Sequence, residues 1–374
     1  MITRILREKL DSYLKKGKVL IIYGPRRAGK TFLLQDFLST YEGKCYSGVG
    51  EDATLKDIFA SQSVNTITSM FGGYDLVVID EAQKINDIGL GLKILVDNLP
   101  QIKVIATGSS SFDLAGKTGE PLTGRKFTTQ LYPIAISELK KQFGNIKIIE
   151  ELDRYLVYGL YPEVVIENSI EQKRHYLHEL RDSYLLKDIW EGENLRYRNK
   201  FLDLLRLVAY QIGKEVSLSE LATQLSISKQ TVERYLELLE KSFVLLKVGG
   251  FSSNLRKEIT KSSRYYFWDN GIRNAVINNF NLINSREDKG ELWENFLFIE
   301  RVKKCHYEGI YANRYFWRTY NQSEIDLVEE REGNLFAYEF KYSPKKVKIP
   351  QEWIENYPKS KFEIIHKDNF LEFV

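Results

Sequence analysis

Apolar positions recur at two spacings along this chain, and the change from one to the other marks its elements. The opening stretch MITRILREKLDSYLKKGK places Ile2, Ile5, Leu6, Leu10 and Leu14 on or near one side of a helix. KVLIIYG, DLVVIDE and KVIATGSSS then carry continuous apolar runs of strand length, as expected of strands buried on both faces. KTFLLQDFLSTY has helical spacing, and KFTTQLYPI reads as a further strand. Such runs alternating with helices predict a parallel sheet covered on both sides. Residues 146–200 read as helical, as in KRHYLHELRDSYLLKDIWE. Three helical patterns over 201–245 lead into a short hairpin, and beyond 285 come one long helix, three strands, a helix and a final strand. The expected class is α/β, with a parallel-sheet domain at 1–145, a helical linker at 146–200, a helix-turn-helix region at 201–284 and a second α/β domain at 285–374. NFNLINSREDKG, rich in polar and turn-forming residues, marks the last boundary.

Composition narrows the class. A chain of 374 residues exceeds one ordinary core, so two to three domains are expected. With 43% hydrophobic and 28% charged residues it is globular rather than disordered. Its net charge of +3 permits nucleic-acid binding without arguing for it. No apolar run is long enough to cross a bilayer, and the opening helix lacks the apolar centre of a signal peptide. A cytoplasmic location and no membrane partner are therefore expected. Cys45 and Cys305, far apart in sequence, suit a reducing compartment. The two cysteines and four histidines show no metal-ligand spacing, and Cys305 beside His306 reads as ordinary.

The candidate chemistry begins in IIYGPRRAGKTFLL. Gly24, four residues, then Gly29, Lys30 and Thr31 match the phosphate-loop pattern, behind a strand and opening a helix. Backbone N–H groups of Gly24, Pro25, Arg26, Arg27, Ala28, Gly29, Lys30, Thr31 and Phe32 (proline excepted) line such a turn and close on phosphate oxygens. Lys30 would reach the β and γ phosphates of ATP or ADP, and Thr31 would give its hydroxyl to Mg²⁺. LVVIDEAQK is the expected partner: Asp80 for the metal, Glu81 to orient or deprotonate the attacking water. The DEAQ tetrapeptide also occurs in helicases, but those use two motor cores and this chain has one phosphate loop. Ser109, Ser110 or Ser111 could sense the γ-phosphate; Ser109, first past the strand, is preferred, although a serine there also caps a helix. Arg125 in LTGRKF could supply charge to the transition state, in cis or from a neighbour.

GPRRAGKT, VVIDEAQK, ATGSSS, LTGR and LYPIAISEL, in this order, resemble a group of prokaryotic AAA-type ATPases (AAA_14-like). YGLYPEVV, YYFWDNGIRNA and GELWENFLFIERV resemble the DUF4143-like region that follows the ATPase in that group. The resemblance implies a sheet in which the phosphate-loop strand lies beside the sensor strand, and ATP hydrolysis with Mg²⁺. It also implies a winged-helix module and a C-terminal domain of restriction-endonuclease-like fold.

EVSLSELATQLSISKQTVERYLELLEKSFVL has helix-turn-helix spacing, with Ser217 and Glu220 as a capping box. Lys229, Gln230, Glu233 and Arg234 lie near the start of the second helix, where base edges would be met, while Glu233, Glu237 and Glu240 oppose phosphate contact. Arg256, Lys257, Lys261 and Arg264 in the following segment are placed to meet phosphates as a wing. Winged helices also contact proteins, so duplex DNA and a protein both stand as candidate partners.

Nucleases of the restriction type hold one or two metals on clustered acids and use a lysine to polarise water or phosphate. Glu294 on the long helix, Asp326 on a strand, then Glu339 and Lys341 two residues apart on the next have that order. Glu324 shares the face of Asp326. Glu339 and Lys341 alone would be a salt bridge on a solvated face. Three functions remain: a Mg²⁺-dependent ATPase controlling its C-terminal half, an ATP-gated DNA nuclease, and a nucleotide-state switch binding a protein partner.

Overall fold

The structure is a computed structural model describing residues 2–109, 121–183, 198–252, 263–319, 321–345 and 347–374. The expectations for Ser110, Ser111, Arg256, Lys257 and Lys261 lie outside the described residues. The chain forms two compact units, one of Met1–Ile134 with Lys241–Phe243, the other of Ala135–Glu240 with Val244–Val374.

The first unit is built on five parallel strands: β1 (Val19–Tyr23), β2 (Cys45–Val49), β3 (Leu76–Asp80), β4 (Lys103–Gly108) and β5 (Lys126–Gln130). Their order is β2-β3-β4-β1-β5, so the phosphate-loop strand pairs directly with the strand that ends in ATG, as the resemblance implied. Every residue of β1 and β3 is buried, which is why their sequences are uninterrupted apolar runs. Val19, Ile21, Val77, Ile79, Val104 and Ala106 point into one core with Phe59, Phe71, Leu92 and Leu95. Their neighbours Leu20, Ile22, Val78 and Ile105 are buried as well and face the other layer. Because all five strands run the same way, the turns after β1, β3 and β4 share one edge of the sheet, where ligands of such folds bind.

The second unit carries a mixed sheet of seven strands in the order β12-β11-β10-β9-β7-β8-β6. These are β6 (Glu215–Val216), β7 (Leu245–Gly250), β8 (Ser263–Phe267), β9 (Asn313–Arg318), β10 (Glu324–Arg331), β11 (Asn334–Phe340) and β12 (Lys361–Ile365). The β7–β8 hairpin joins the later strands through β7–β9 pairing, Gly249 to Tyr315 and Gly250 to Phe316. One sheet therefore runs across the boundary expected at 284/285. The expected boundary at 145 also falls inside this unit. It sits at Gly144, whose φ of 77° and ψ of 170° kink the helix Ile136–Tyr158. The Ile136 amide donates to Glu300 Oε2 at 2.7 Å and Lys140 to the Leu371 carbonyl at 3.0 Å, which bind this helix start within the second unit.

The YGLYPEVV and YYFWDNGIRNA motifs meet here as a brace. Asp269 accepts from the Leu160 amide at 2.6 Å, and Asn274 donates to the Val157 carbonyl at 2.7 Å. A Cβ on Gly159 would lie 2.0 Å from Asp269 Oδ1, and one on Gly271 2.0 Å from the Tyr158 carbonyl oxygen. Both positions require glycine for the approach. NFNLINSREDKG is no exposed linker: Arg286 and Arg273 are buried and both bind Asp288.

Candidate functional site

Strand β1 ends at Tyr23, and the helix Lys30–Leu38 begins six residues after Gly24. Gly24 touches the chain after β5 so closely that a Cβ would lie 2.1 Å from the Leu131 carbonyl oxygen. Gly29 closes the turn at φ 97°, in the left-handed region. Lys30 is buried and donates from Nζ to the carbonyls of Gly24 at 3.0 Å and Pro25 at 3.1 Å. Burial lowers its pKa, against the pull of Glu81 and Asp80. Arg26 is half-buried, whereas Arg27, Thr31 and Phe32 are exposed around the turn.

Asp80, the last residue of β3, accepts the Thr31 hydroxyl on Oδ2 at 2.6 Å, joining the two residues expected to serve Mg²⁺. A hydroxyl and a carboxylate in contact at the phosphate loop are the donor set that Mg²⁺ takes there beside nucleotide oxygens, so these residues fit the metal. Asp80 Oδ1 is held by the Thr107 hydroxyl and by the Glu81 amide. Glu81 adopts φ 51°, turning its side chain off the strand end, where Oε2 accepts from the Gln83 amide. The same Gln83 nitrogen donates to Ser109 Oγ at 3.2 Å, linking the two residues at the ends of β3 and β4.

Arg125 stands elsewhere. Its carbonyl accepts from the amide of Val19, the first residue of β1, which places it at the opposite edge of the sheet from the phosphate loop. Its guanidinium pairs with Asp97 at 2.5 Å. The structure therefore does not bring it to the site within one chain. Arg4 was read only as part of an amphipathic helix, yet it is buried and grips the loop. It donates to the Ala28 carbonyl at 2.7 Å and the Tyr132 carbonyl at 2.6 Å. Thr107 and Gln83 were also missed as participants, although both lie in quoted motifs.

The second unit gathers the acids of the nuclease-like order. The β10–β11 register pairs Leu327 with Tyr338, which sets Asp326 across from Glu339. Asp326 and Glu339 are each buried at 6% exposure, so they are not a pair on a fully solvated strand face. Lys341 pairs with Glu339 at 2.7 Å. Glu294 accepts from the Tyr266 hydroxyl at 2.7 Å, and Asp326 Oδ2 from the Phe340 amide at 2.8 Å. Arg264, expected as an exposed phosphate contact, instead lies buried among the acids at 2% exposure. It reaches Glu324 at 2.9 Å, Glu294 at 3.5 Å and Asp326 at 3.9 Å. That placement follows from β8, which hydrogen-bonds between β7 and β6 and turns the side chain inward. Burial, with Glu294 and Glu339 nearby, pushes the Asp326 carboxyl well above its ordinary range. Burial raises Glu294 and Glu339 in the same direction. Among the described residues, no three His, Cys, Asp or Glu side chains are spaced to hold a metal. Cations of the chain stand on these acids instead, Arg264 on Glu324, Glu294 and Asp326 and Lys341 on Glu339, which does not suit the metal of a restriction-type nuclease.

Leu218–Leu225 and Lys229–Lys241 are helices joined by a three-residue turn with Ser226 at φ 52°. Ser217 Oγ accepts from the Glu220 amide at 3.3 Å. Lys229, Gln230, Glu233 and Arg234 are exposed at the start of the second helix, and Glu237 is exposed further along it.

Residues 16–140 match the family model of an AAA domain (AAA_14), residues 149–282 a domain of unknown function (DUF8612), and residues 289–368 another (DUF4143). An uncharacterized protein of Mycobacterium tuberculosis is 26% identical over 339 residues, covering 89% of this chain and 72% of its own length. One from Methanocaldococcus jannaschii is 23% identical over 375 residues, covering 92% and 80%. Among solved structures, a Signal Transduction ATPase with Numerous Domains protein with a tetratricopeptide repeat sensor, from Pyrococcus horikoshii, matches at TM-score 0.29 and 13% identity. That match covers 81% of this chain, which spans less than half, 45%, of the other. RuvB from Thermotoga maritima matches at TM-score 0.32 and 17% identity, covering 65% of this chain and 85% of its own. These scores are too low for whole-chain superposition to inform the site, and no helix among the described residues is long and apolar enough to cross a membrane. The AAA-domain match and the strand order agree with the phosphate-loop motifs, and GELWENFLFIERV lies in the DUF4143 match, whereas YGLYPEVV and YYFWDNGIRNA, expected in the DUF4143-like region, fall in the DUF8612 match; the chain thus carries an AAA_14-type AAA domain followed by these two regions.

Proposed function

We propose that this protein is a Mg²⁺-dependent ATPase whose nucleotide state controls its C-terminal unit. The observation that carries the reading is the contact of Thr31 with Asp80 at the mouth of a formed phosphate loop. In this account Lys30 leaves the carbonyls of Gly24 and Pro25 for the β and γ phosphates. Thr31 and Asp80 hold Mg²⁺, which neutralises phosphate charge when bound. Glu81 positions the attacking water and takes its proton. Gln83 positions Glu81, and Ser109, on the same amide, lies at the end of the sensor strand.

The exposed Lys229, Gln230 and Arg234 support a winged helix with duplex DNA as its partner, against the exposed Glu233 and Glu237. The buried pairing of the acid cluster does not favour the nuclease alternative. Mg²⁺-dependent ATP hydrolysis, measured with and without duplex DNA, tests both parts. Stimulation of several-fold that fades as salt rises is the expected result for a DNA partner. Hydrolysis indifferent to DNA assigns the unit to a protein partner, and absence of hydrolysis removes the ATPase reading.

A further inference from the structure

We propose that Arg264 is the resident cation of the acid cluster, so that the cluster takes up neither Mg²⁺ nor Mn²⁺. The guanidinium lies 4.5 Å from the centre of the Phe316 ring, which fixes its plane. From there its two terminal nitrogens serve Glu324, Glu294 and Asp326. Lys341 serves Glu339. Each of the four carboxylates therefore already faces a cation of the chain.

The remaining lone pairs are partly spent too. Tyr266 occupies Glu294 Oε1, and the Phe340 amide occupies Asp326 Oδ2. A guanidinium stays charged at any ordinary pH and is weakly hydrated, so it suits a buried ion pair better than a strongly hydrated divalent ion does. Burial works against the Arg264 charge, but Tyr266 and the three carboxylates outweigh it and hold its pKa above the usual arginine value. A divalent ion entering the cluster would have to stand beside this fixed guanidinium charge and displace it from the oxygens of Glu324, Glu294 and Asp326.

A cleft of about 660 Å³ opens onto the cluster, and Lys214, Lys289, Arg318 and Lys345 line it with Arg264 and Lys341. The arrangement is one that engages charge without the metal chemistry of cleavage.

Mn²⁺ alone, titrated into the full-length nucleotide-free protein and followed by its electron paramagnetic resonance signal, is the test. Wild type should show no Mn²⁺ site that depends on Asp326. Arg264→Gln, which removes the charge, should gain a site at least tenfold tighter than any in wild type, and adding Asp326→Asn should abolish it. Arg264→Lys should gain none. Wild-type binding that is lost in Asp326→Asn would overturn the proposal, as would a folded Arg264→Gln that gains no site. If Arg264→Gln fails to fold, the comparison of wild type with Asp326→Asn still decides.

Discussion

Replacing Glu81 by glutamine is expected to slow ATP hydrolysis by roughly two to four orders of magnitude while Mg²⁺–ATP affinity changes little. Glu81 follows the metal-facing Asp80 in a left-handed turn, which aims it away from the strand and toward the sheet edge. Gly50 makes that turn possible, since a Cβ there would lie 2.3 Å from the Glu81 carbonyl oxygen. Glutamine matches the shape of glutamate and can still accept from Gln83, but it cannot take a proton from water. The change therefore separates chemistry from binding. Phosphate release and fluorescent-nucleotide affinity measured on one preparation check it. A Glu81→Gln enzyme within twofold of the wild-type rate would assign the water to another group.

The second large effect is structural. Asp288→Ala should lower the unfolding free energy by about 3–5 kcal/mol, because it strands two buried guanidiniums. Arg286 binds Asp288 from Nε at 2.8 Å and again from Nη2 at 2.8 Å, and Arg273 binds it from Nη1. Arg273 also holds the Ala209 carbonyl at 2.9 Å, and Arg286 the Asn274 side chain at 2.9 Å, so neither guanidinium can swing to solvent without breaking a brace. Burial opposes the Asp288 charge, but hydrogen bonds and charge from Arg286 and Arg273 prevail and hold its pKa down to about 2. A folded-state pKa below the unfolded value of 3.8 gives stability that is present above about pH 4 and lost as pH falls toward 2. The group is only half-buried from solvent, so screening reduces this component to about 1–2 kcal/mol. Urea denaturation at pH 7 and through the acid range tests both statements. Asp288→Ala within 1 kcal/mol of wild type at pH 7 would show that the arginines find other partners.

The central strands were legible because burial on both faces leaves an uninterrupted apolar run, as in VLIIY and LVVID. Strand β2 was not located, since CYSGV lies at the sheet edge with half-buried and exposed positions and so has no such run. The phosphate loop was legible because its glycines are dictated locally, by a left-handed turn at Gly29 and a close approach at Gly24. Arg4 was not, because its partners at Ala28 and Tyr132 are far away in sequence and its own neighbourhood reads as an ordinary amphipathic helix. The acid order Glu294, Asp326, Glu339 and Lys341 could be read from helix and hairpin spacing. The destination of Arg264 could not. It depends on the pairing of β7 with β9, in which Gly249 meets Tyr315 and Gly250 meets Phe316, far along the chain. Local pattern carries no record of such a pairing, and a basic residue ahead of an aromatic strand reads as solvent-facing.

The central claim is that the phosphate loop is a working ATPase site. Phosphate release from ATP by the purified wild-type chain, in Mg²⁺ and in EDTA, beside Lys30→Ala, tests it most directly. Lys30 sits buried within the loop, bonded to its carbonyls, where its charge can follow the γ-phosphate into the transition state. The account predicts Mg²⁺-dependent release by wild type and a fall of at least about a hundredfold in Lys30→Ala. Release by Lys30→Ala at the wild-type rate would contradict it.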